Sequence, residues 1–312
     1  MALPRSVPFV ATFLVGCLTA LQARMNGQLA IEVGDGLEAA LYSFGTGLII
    51  ASVLALVIPS IRHGLARLPG AIRSGELAWW QILGGVLGGF FVGVQSATVP
   101  TLGVAVFLVA VVAGQSSNSL IVDRVGLGPA GKQAITAPRV ISAILAVIAV
   151  GIAVSNRFQS GNLSIIAVAF AFLAGVCIAL QSAINGRVAR AIGQPMSAAF
   201  LNFLFGTAAL AAAFGVMWGF SDQDPSLPQG GPWWMYLGGV VGLAFIAIAS
   251  WVVPIVGVLF FALTSIAGQL SGALLLDIFA PTAGTDLAWN LIVGVLVAFV
   301  AVLVAARGRR RT

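Results

Sequence analysis

Charged residues are scarce in this sequence. Only 8% of the 312 residues are charged, whereas 60% are hydrophobic, and the mean hydropathy is +1.07. Soluble domains contain roughly 25% charged residues, so the composition excludes a soluble globular protein. Apolar stretches of the roughly 20 residues that a helix needs to cross a bilayer recur along the whole chain. We therefore expect a polytopic membrane protein that is surrounded by the lipid bilayer.

Residues typical of catalytic and metal sites are also rare. His63 is the single histidine, Lys132 is the single lysine, and the two cysteines, Cys17 and Cys177, fall inside apolar runs. The sequence has no nucleophile beside a base, no metal-ligand cluster and no phosphate loop with a lysine. We expect no enzyme, no cofactor and no metal site. The net charge of +6 does not indicate a nucleic-acid partner, because the basic residues form no patch on a polar surface.

The long apolar runs predict an all-α fold. They indicate ten transmembrane helices, at residues 7–31, 36–60, 78–98, 101–122, 137–155, 162–187, 195–220, 233–251, 254–276 and 287–306. Most links between them are short. The longest are interpreted as polar hairpins, at residues 62–76, 124–139 and 222–232.

The links alternate in charge. Taken alternately from the N-terminus, one set contains Arg5, Arg62, Arg67, Arg73, Arg124, Lys132, Arg139, Arg187, Arg190, Arg307, Arg309, Arg310 and Arg311. The other set contains Arg157 and the acids Glu32, Asp35, Glu38, Asp222, Asp224 and Asp286. An excess of Lys and Arg marks the cytoplasmic side of a membrane protein. Both termini are therefore predicted to be cytoplasmic, which requires an even number of helices and supports ten.

A polar phrase occurs twice within apolar surroundings. Residues 20–28 read ALQARMNGQ and residues 179–187 read ALQSAINGR, an offset of 159 positions from Gln22 to Gln181. At an offset of 154, WWQILGGVLGG from Trp79 matches WWMYLGGVVGL from Trp233, and the AGQ phrase that contains Gln115 matches the one that contains Gln269. The pattern indicates a duplicated five-helix unit, residues 1–158 and 159–312.

An odd number of helices per unit has a consequence for orientation. The second unit starts on the opposite side of the membrane, so the two units are predicted to be inverted relative to each other. The flanking charges agree, because the link after the first helix carries Glu32 and Asp35 whereas its equivalent carries Arg187 and Arg190. Inverted repeats of this kind are typical of secondary transporters, in which the two repeats exchange conformations.

Several phrases resemble a known family. They are LQARMNG with LQSAING, LGGVLGGFFVG, and AGQSSNSLIVD with AGQLSGALLLD. Together with the five-plus-five pattern they resemble the drug/metabolite transporter superfamily, in particular its YdcZ-type branch of bacterial inner-membrane exporters. The resemblance covers nearly the whole chain. It implies a ten-helix transporter in a bacterial inner membrane and names no cargo.

The two Gln/Asn pairs are the first candidates for a site. Gln22 and Asn26 are four residues apart, as are Gln181 and Asn185, so each pair lies on one helix face. Because an unpaired amide in hydrocarbon costs a few kcal/mol, both faces should point into the bundle. There the pairs either join helices by hydrogen bonds or line a cargo cavity. The glycines that follow the asparagines, Gly27 and Gly186, are predicted to cap or interrupt their helices.

Further polar residues complete the predicted substrate-binding set. Gln115 and Gln269 follow Ala-Gly in the middle of predicted helices, where a glycine allows a neighbour or a ligand to approach closely. Asn118 and Ser271 lie close to them in sequence. These four residues join the Gln/Asn pairs as candidates for contact with a small-molecule solute.

Three charged residues are candidates for coupling to an ion or proton gradient. Asp123 ends a predicted helix beside Arg124, so a local ion pair is the simpler interpretation. Asp277 has no basic neighbour in sequence, which makes it the better coupling candidate. Arg24 either extends outward or pairs with an acid of the following link, Glu32 or Glu38, and the alternative is a role in holding an anionic substrate.

The sequence favours a secondary transporter that exports a small polar or amphipathic solute by alternating access. Two alternatives stay open at this point. One is a non-transporting membrane scaffold or assembly factor. The other, a lipid-modifying membrane enzyme, is disfavoured because the sequence lacks a cluster of His, Asp or Glu at one interface. A homodimer is compatible with the sequence, which does not specify the oligomeric state.

Overall fold

The fold is all-helical in the part of the chain that the structure, a computed structural model, describes. These residues are 6–128, 131–132, 134–159, 164–220, 230–256, 258–280 and 289–307. They form eleven α-helices: α1 Ser6–Val33, α2 Gly36–Val57, α3 Pro59–Arg73, α4 Gly84–Leu102, α5 Val104–Val125, α6 Ala137–Gln159, α7 Ile165–Ile192, α8 Pro195–Gly219, α9 Gly238–Val256, α10 Val258–Phe279 and α11 Trp289–Arg307. Short 3₁₀ segments, Trp79–Leu83 and Trp233–Leu237, precede α4 and α9. The linker acids Asp222, Asp224 and Asp286 and the C-terminal Arg309, Arg310 and Arg311 lie outside these ranges.

Most of these helices suit a bilayer. Seven are long and apolar enough to cross a membrane: Val7–Val33, Gly36–Val57, Trp79–Leu102, Val104–Val125, Ala137–Ser155, Ile165–Ile192 and Pro195–Gly219. Three more apolar helical stretches are shorter within the described residues: Trp233–Ala249, Thr264–Phe279 and Trp289–Val304. The protein is therefore a multi-pass membrane protein.

One predicted hairpin is wrong. Residues 62–76 were expected to form a polar loop, but most of them belong to α3. This helix is amphipathic and buries Ile61, Gly64 and Ala71. The Ser197 hydroxyl of α8 donates to the Ile61 carbonyl at 2.8 Å, and the Arg67 guanidinium donates to the Ile192 carbonyl at 3.4 Å. The apolar face of α3 covers the turn between α7 and α8, and this packing gives a short polar segment a helical structure.

The turns between α1 and α2 and between α7 and α8 are tight. Gly34 has φ of +77° and Gly193 has φ of +67°, a conformation that favours glycine. The Asp35 side chain then caps α2 by accepting from the Glu38 amide at 2.6 Å. At the other turn, the Gln194 side chain caps α8. Both turns keep consecutive helices antiparallel and adjacent.

The helix ends sort into two groups, for which we use two names. The acidic end is the end of the bundle that contains the α1–α2 turn with Glu32 and Asp35. The basic end contains α3 and the α7–α8 turn. A contact between helices supports this division. Gly36 at the start of α2 lies against Ala97 near the end of α4, so the C-terminal end of α4 is also at the acidic end.

Glycines bring α1 against α10 and α7 against α5. A Cβ atom on Gly16 would overlap the Ser265 carbonyl of α10, and one on Gly175 would overlap the Val111 carbonyl of α5. Small residues allow this approach of helix backbones in a membrane. Each of these glycines aligns with the other at the sequence offset of 159. The first helix of each half of the sequence thus packs against the other half.

Candidate functional site

A small cavity lies between the two halves of the chain. Gln22 of α1 and Gln181 of α7 both line it, together with four aromatic side chains, Phe44, Phe91, Phe203 and Phe245. Its volume is about 20 Å³, which is room for roughly one water molecule. The cavity is therefore too small to hold an organic solute in this conformation.

The first Gln/Asn pair forms a polar cluster toward the acidic end. The Gln22 Nε2 donates to the Gly238 carbonyl at 3.0 Å, and the Asn26 Nδ2 donates to Gln95 Oε1 at 2.8 Å. Asn26 and Gln95 are fully buried. The Gln22 amide also occupies the space that a Cβ atom on Gly242 would fill. The pair on α1 thus packs against the glycine-rich start of α9, in the other half.

The second pair forms the corresponding cluster toward the basic end. Asn202 Oδ1 accepts from Gln181 Nε2 at 2.7 Å and from Asn185 Nδ2 at 2.9 Å. The Gln181 amide occupies the space of a Cβ atom on Gly88, and such an atom on Gly84 would lie 2.8 Å from Asn185 Oδ1. The pair on α7 thus packs against the glycine-rich start of α4, again in the other half.

A second cavity adjoins this basic-end cluster. Gln181, Asn185 and Gly186 of α7 line it, together with Phe245 of α9 and Phe261 of α10. Its volume is also about 20 Å³. Gln181, Phe245 and Ile246 line both cavities.

Several buried polar atoms of the two clusters have no protein partner. They are Asn202 Nδ2 in the basic-end cluster and Asn26 Oδ1, Gln95 Nε2 and Ser43 Oγ in the acidic-end cluster. An unsatisfied buried group costs about 1–3 kcal/mol. The Asn202 nitrogen lies 3.4 Å from the position of a Cβ atom on Gly88, which lines the central cavity. This donor therefore lies beside the cavity, although Asn202 is not itself one of the residues that line it.

The structure uses the remaining predicted residues differently. Asn118 Nδ2 donates to the Val176 carbonyl at 2.9 Å and so joins α5 to α7. Gln269 Nε2 is 3.4 Å from the Ser265 hydroxyl of its own helix. Gln115 and Ser271 are half-buried and line neither of these two cavities.

The prediction that Gly27 and Gly186 interrupt their helices is wrong. Both lie within continuous helices, α1 and α7. A Cβ atom on Gly27 would lie 2.7 Å from the Val99 side chain. This glycine therefore serves close packing of α1 on α4, and its backbone stays within the helical hydrogen-bonding pattern.

The two candidate carboxylates have different partners. Asp123 forms a buried ion pair with Arg139 of α6, whereas the expected partner Arg124 is exposed. Asp277 Oδ2 accepts from the Ala105 amide at the start of α5, at 2.9 Å. The sequence offers no basic neighbour to Asp277, but the fold brings Arg24 of α1 close enough for electrostatic attraction.

Arg24 lies at the acidic end of α1 among groups from several elements. Its guanidinium carbon is 5.7 Å from the centre of the Trp234 ring. Its Nη1 is 3.5 Å from Gln28 Oε1, and the Gln28 amide is 3.4 Å from the Glu32 carboxylate. The expected pairing with Glu32 is therefore indirect, through Gln28, and the prediction omitted Asp277 as a partner of Arg24.

Sequence reasoning missed Gln95, Asn202, Arg139 and the four phenylalanines of the cavity. Gln95 and Asn202 could have been found as lone amides in otherwise apolar runs, the signal that identified the Gln/Asn pairs. Arg139 was assigned to a link, although it is 7% exposed. The phenylalanines do carry a sequence signal, because Phe44 aligns with Phe203 at the offset of 159 and Phe91 aligns with Phe245 at the offset of 154.

Comparisons with known proteins agree with this architecture. The family model described as "Putative inner membrane exporter, YdcZ", of the drug/metabolite transporter class, matches residues 7–152 and 166–304. A solved structure described as "Crystal structure of protein" has a TM-score of 0.58 and 19% sequence identity, and the alignment covers 97% of each chain. At this identity the likeness concerns the fold alone. No curated protein matches the chain.

Proposed function

Because the chain belongs to the YdcZ family of inner-membrane exporters, we propose that it is a secondary transporter that exports a small polar or amphipathic solute. One observation carries this proposal. Gln22 and Gln181, which align at the sequence offset of 159, both line the same cavity between the two halves. A cavity at the interface of two repeats, lined by equivalent residues of both, supports alternating access around a single site.

The proposed architecture is ten membrane helices in two inverted five-helix repeats, residues 1–158 and 159–312. The two segments that the family model matches coincide with these repeats. The crossed packing of α1 on α9 and α10, and of α7 on α4 and α5, supports the same division. With the basic end at the cytoplasm, both termini lie inside.

The cavity suggests the class of cargo. Its two amides can each donate and accept hydrogen bonds, and the four phenylalanines offer apolar surface. Among the described lining residues of this cavity, none is charged. A small uncharged or zwitterionic solute with an apolar part would satisfy both kinds of surface. The Asn202 Nδ2 donor has no protein partner, and it adds a preference for a solute oxygen near Gly88.

The test is transport by the purified protein in lipid vesicles. Vesicles loaded with a panel of radiolabelled small solutes should lose at least one of them faster than protein-free vesicles. Gln22→Leu and Gln181→Leu should both reduce that rate, while the proteins keep the elution profile and helicity of the wild type. Leucine suits a helix in either lipid or protein, so folding should be preserved.

Asn118→Leu is a suitable comparison, because Asn118 bonds to a neighbouring helix and lines neither cavity. It should affect stability more than transport. If no solute of the panel moves, or if both glutamine variants transport at the wild-type rate, the amides only join helices and the transport site lies elsewhere.

A further inference from the structure

The two amide clusters differ in the helix that supplies the acceptor for the asparagine. At the acidic end, Gln95 Oε1 of α4 accepts from Asn26 Nδ2 at 2.8 Å. At the offset of 154, the residue equivalent to Gln95 is Ala249 of α9, which has no hydrogen-bonding side chain. At the basic end the acceptor is Asn202 of α8, at the position that Ser43 has in the first half. The acceptor has thus moved from one helix of the repeat to another.

This exchange of residues coincides with a cavity. Ala249 and Asn185 both line the second cavity, whose volume is about 20 Å³. In the acidic-end cluster, Asn26 and Gln95 are fully buried and line neither this cavity nor the central one. The position that carries an amide in one half therefore carries an alanine beside a cavity in the other half.

The polar residues that line the second cavity can both donate and accept hydrogen bonds. Gln181 and Asn185 each use one N–H hydrogen of the side-chain amide to bond to Asn202. A primary amide has a second N–H hydrogen and an acceptor oxygen as well. The Ser182 hydroxyl donates to the Ile178 carbonyl at 2.8 Å, so it offers its lone pairs as an acceptor.

The rest of the lining determines which ligands suit this cavity. Phe245 and Phe261 contribute apolar surface, and none of the described residues that line it is charged. An ion would lose its hydration there without an opposite charge, which is costly. The volume is enough for roughly one water molecule, and therefore for a small polar group of a larger solute. An uncharged group that donates and accepts hydrogen bonds fits these surroundings.

We propose that the second cavity is a subsite for an uncharged hydroxyl or carboxamide group of the cargo, which takes the place that the Gln95 carboxamide has in the other half. The proposal rests on the proposed transport function and names one part of its cargo. Because Gln181, Phe245 and Ile246 also line the central cavity, a solute bound in the subsite can extend its apolar part toward the phenylalanines there.

Binding of small probes to the full-length protein in lipid nanodiscs tests the subsite. Propionamide and 1-propanol carry the two proposed groups, and propionate is the charged counterpart of propionamide with the same shape. Saturation-transfer NMR, with empty nanodiscs as background, should show binding of propionamide, 1-propanol or both, and no binding of propionate.

Ala249→Gln installs the residue found at position 95 and should fill the subsite. It should reduce the binding signal by about fivefold or more, the size expected for loss of one neutral hydrogen bond. Ala249→Ser adds a single oxygen atom, which suits the volume of the cavity, and should weaken the signal in the same direction if the glutamine variant folds poorly. Gln95→Ala is the matched control at the equivalent position and should not reduce the signal.

The subsite is refuted if neither uncharged probe binds the wild type, if propionate binds as well as propionamide, or if Ala249→Gln and Ala249→Ser leave the signal unchanged. An equal loss in Gln95→Ala would also refute it, because the signal would then not come from the cavity beside Ala249. The measurement requires no transport. A protein that binds the probes but moves no solute contradicts the proposed function alone, and one that transports without binding them contradicts the subsite alone.

Discussion

The Gln22 amide lies against Gly242, in the space where any larger residue would place its first side-chain carbon. The same relationship joins Gln181 to Gly88. The Gln/Asn pair of each half thus packs against a glycine-rich helix segment of the other half. Each glutamine amide depends on its glycine, because the glycine has no side chain and so leaves room for the amide.

Gly88→Ala and Gly242→Ala should reduce transport with little loss of stability. The new methyl group meets the far end of a flexible glutamine side chain, which can move aside at small cost. The displaced amide loses its place in the cavity wall, and we expect a fall of roughly fivefold, equivalent to one neutral hydrogen bond of about 1 kcal/mol. Gly93→Ala, on the same helix as Gly88, meets only a leucine methyl at 3.8 Å and should behave as wild type. Equal effects of all three would contradict the seating of the amides.

Gly175→Ala should destabilise the protein. Its methyl group would meet the carbonyl of Val111, and backbone cannot move aside as a side chain can. Overpacking of this kind costs about 1–3 kcal/mol. Thermal unfolding in detergent should show a lower midpoint for this variant than for Gly151→Ala, a helical glycine of α6 with open space around it. Equal midpoints would mean that α5 and α7 can separate without cost.

Asn202→Leu should be less stable than Asn202→Asp. Leucine leaves the Gln181 and Asn185 donors without an acceptor, at about 1–3 kcal/mol for each buried group. Aspartate retains an oxygen acceptor for both donors. Thermal unfolding of the three proteins in the same detergent compares them directly. A leucine variant as stable as wild type would show that α8 does not hold the second Gln/Asn pair.

Asp277→Asn should abolish transport driven by a proton gradient while sparing exchange of cargo across the membrane. The asparagine can still hydrogen-bond but can no longer carry a proton. Asp123→Asn is the equivalent change at the other end, where Arg139 holds the carboxylate. Vesicles with and without a pH gradient provide the measurement. Unchanged gradient dependence in Asp277→Asn would remove this residue from the coupling mechanism.

The termini should be cytoplasmic. A reporter fused at Thr312 and one inserted between Asp222 and Asp224 should report opposite sides of the membrane, because the two positions flank an odd number of predicted helices, three. The same side for both would mean that the number of spans is not ten. The reporter at Thr312 alone tests whether the basic end faces the cytoplasm.

Much of the architecture could be predicted from the sequence. Apolar runs identify membrane helices directly, because a helix in lipid must satisfy its backbone internally and cover itself with apolar side chains. The duplicated phrases identify the two halves, and the unpaired-amide argument identifies Gln22 and Gln181 as inward-facing. The amphipathic helix α3 was missed, because it is stabilised by contacts with the α7–α8 turn, far away in sequence.

The sequence by itself determined the membrane environment, the duplication and the polar faces of α1 and α7, since these follow from composition and from helical spacing along a single segment. The tertiary structure alone decided which partners those faces meet. The seat of Gln22 on Gly242, the acceptor Asn202 shared by Gln181 and Asn185, and the position of Arg24 near Asp277 all join segments far apart in the chain. Such pairings depend on how close two helix backbones approach, and that distance is set by glycines on both helices at once.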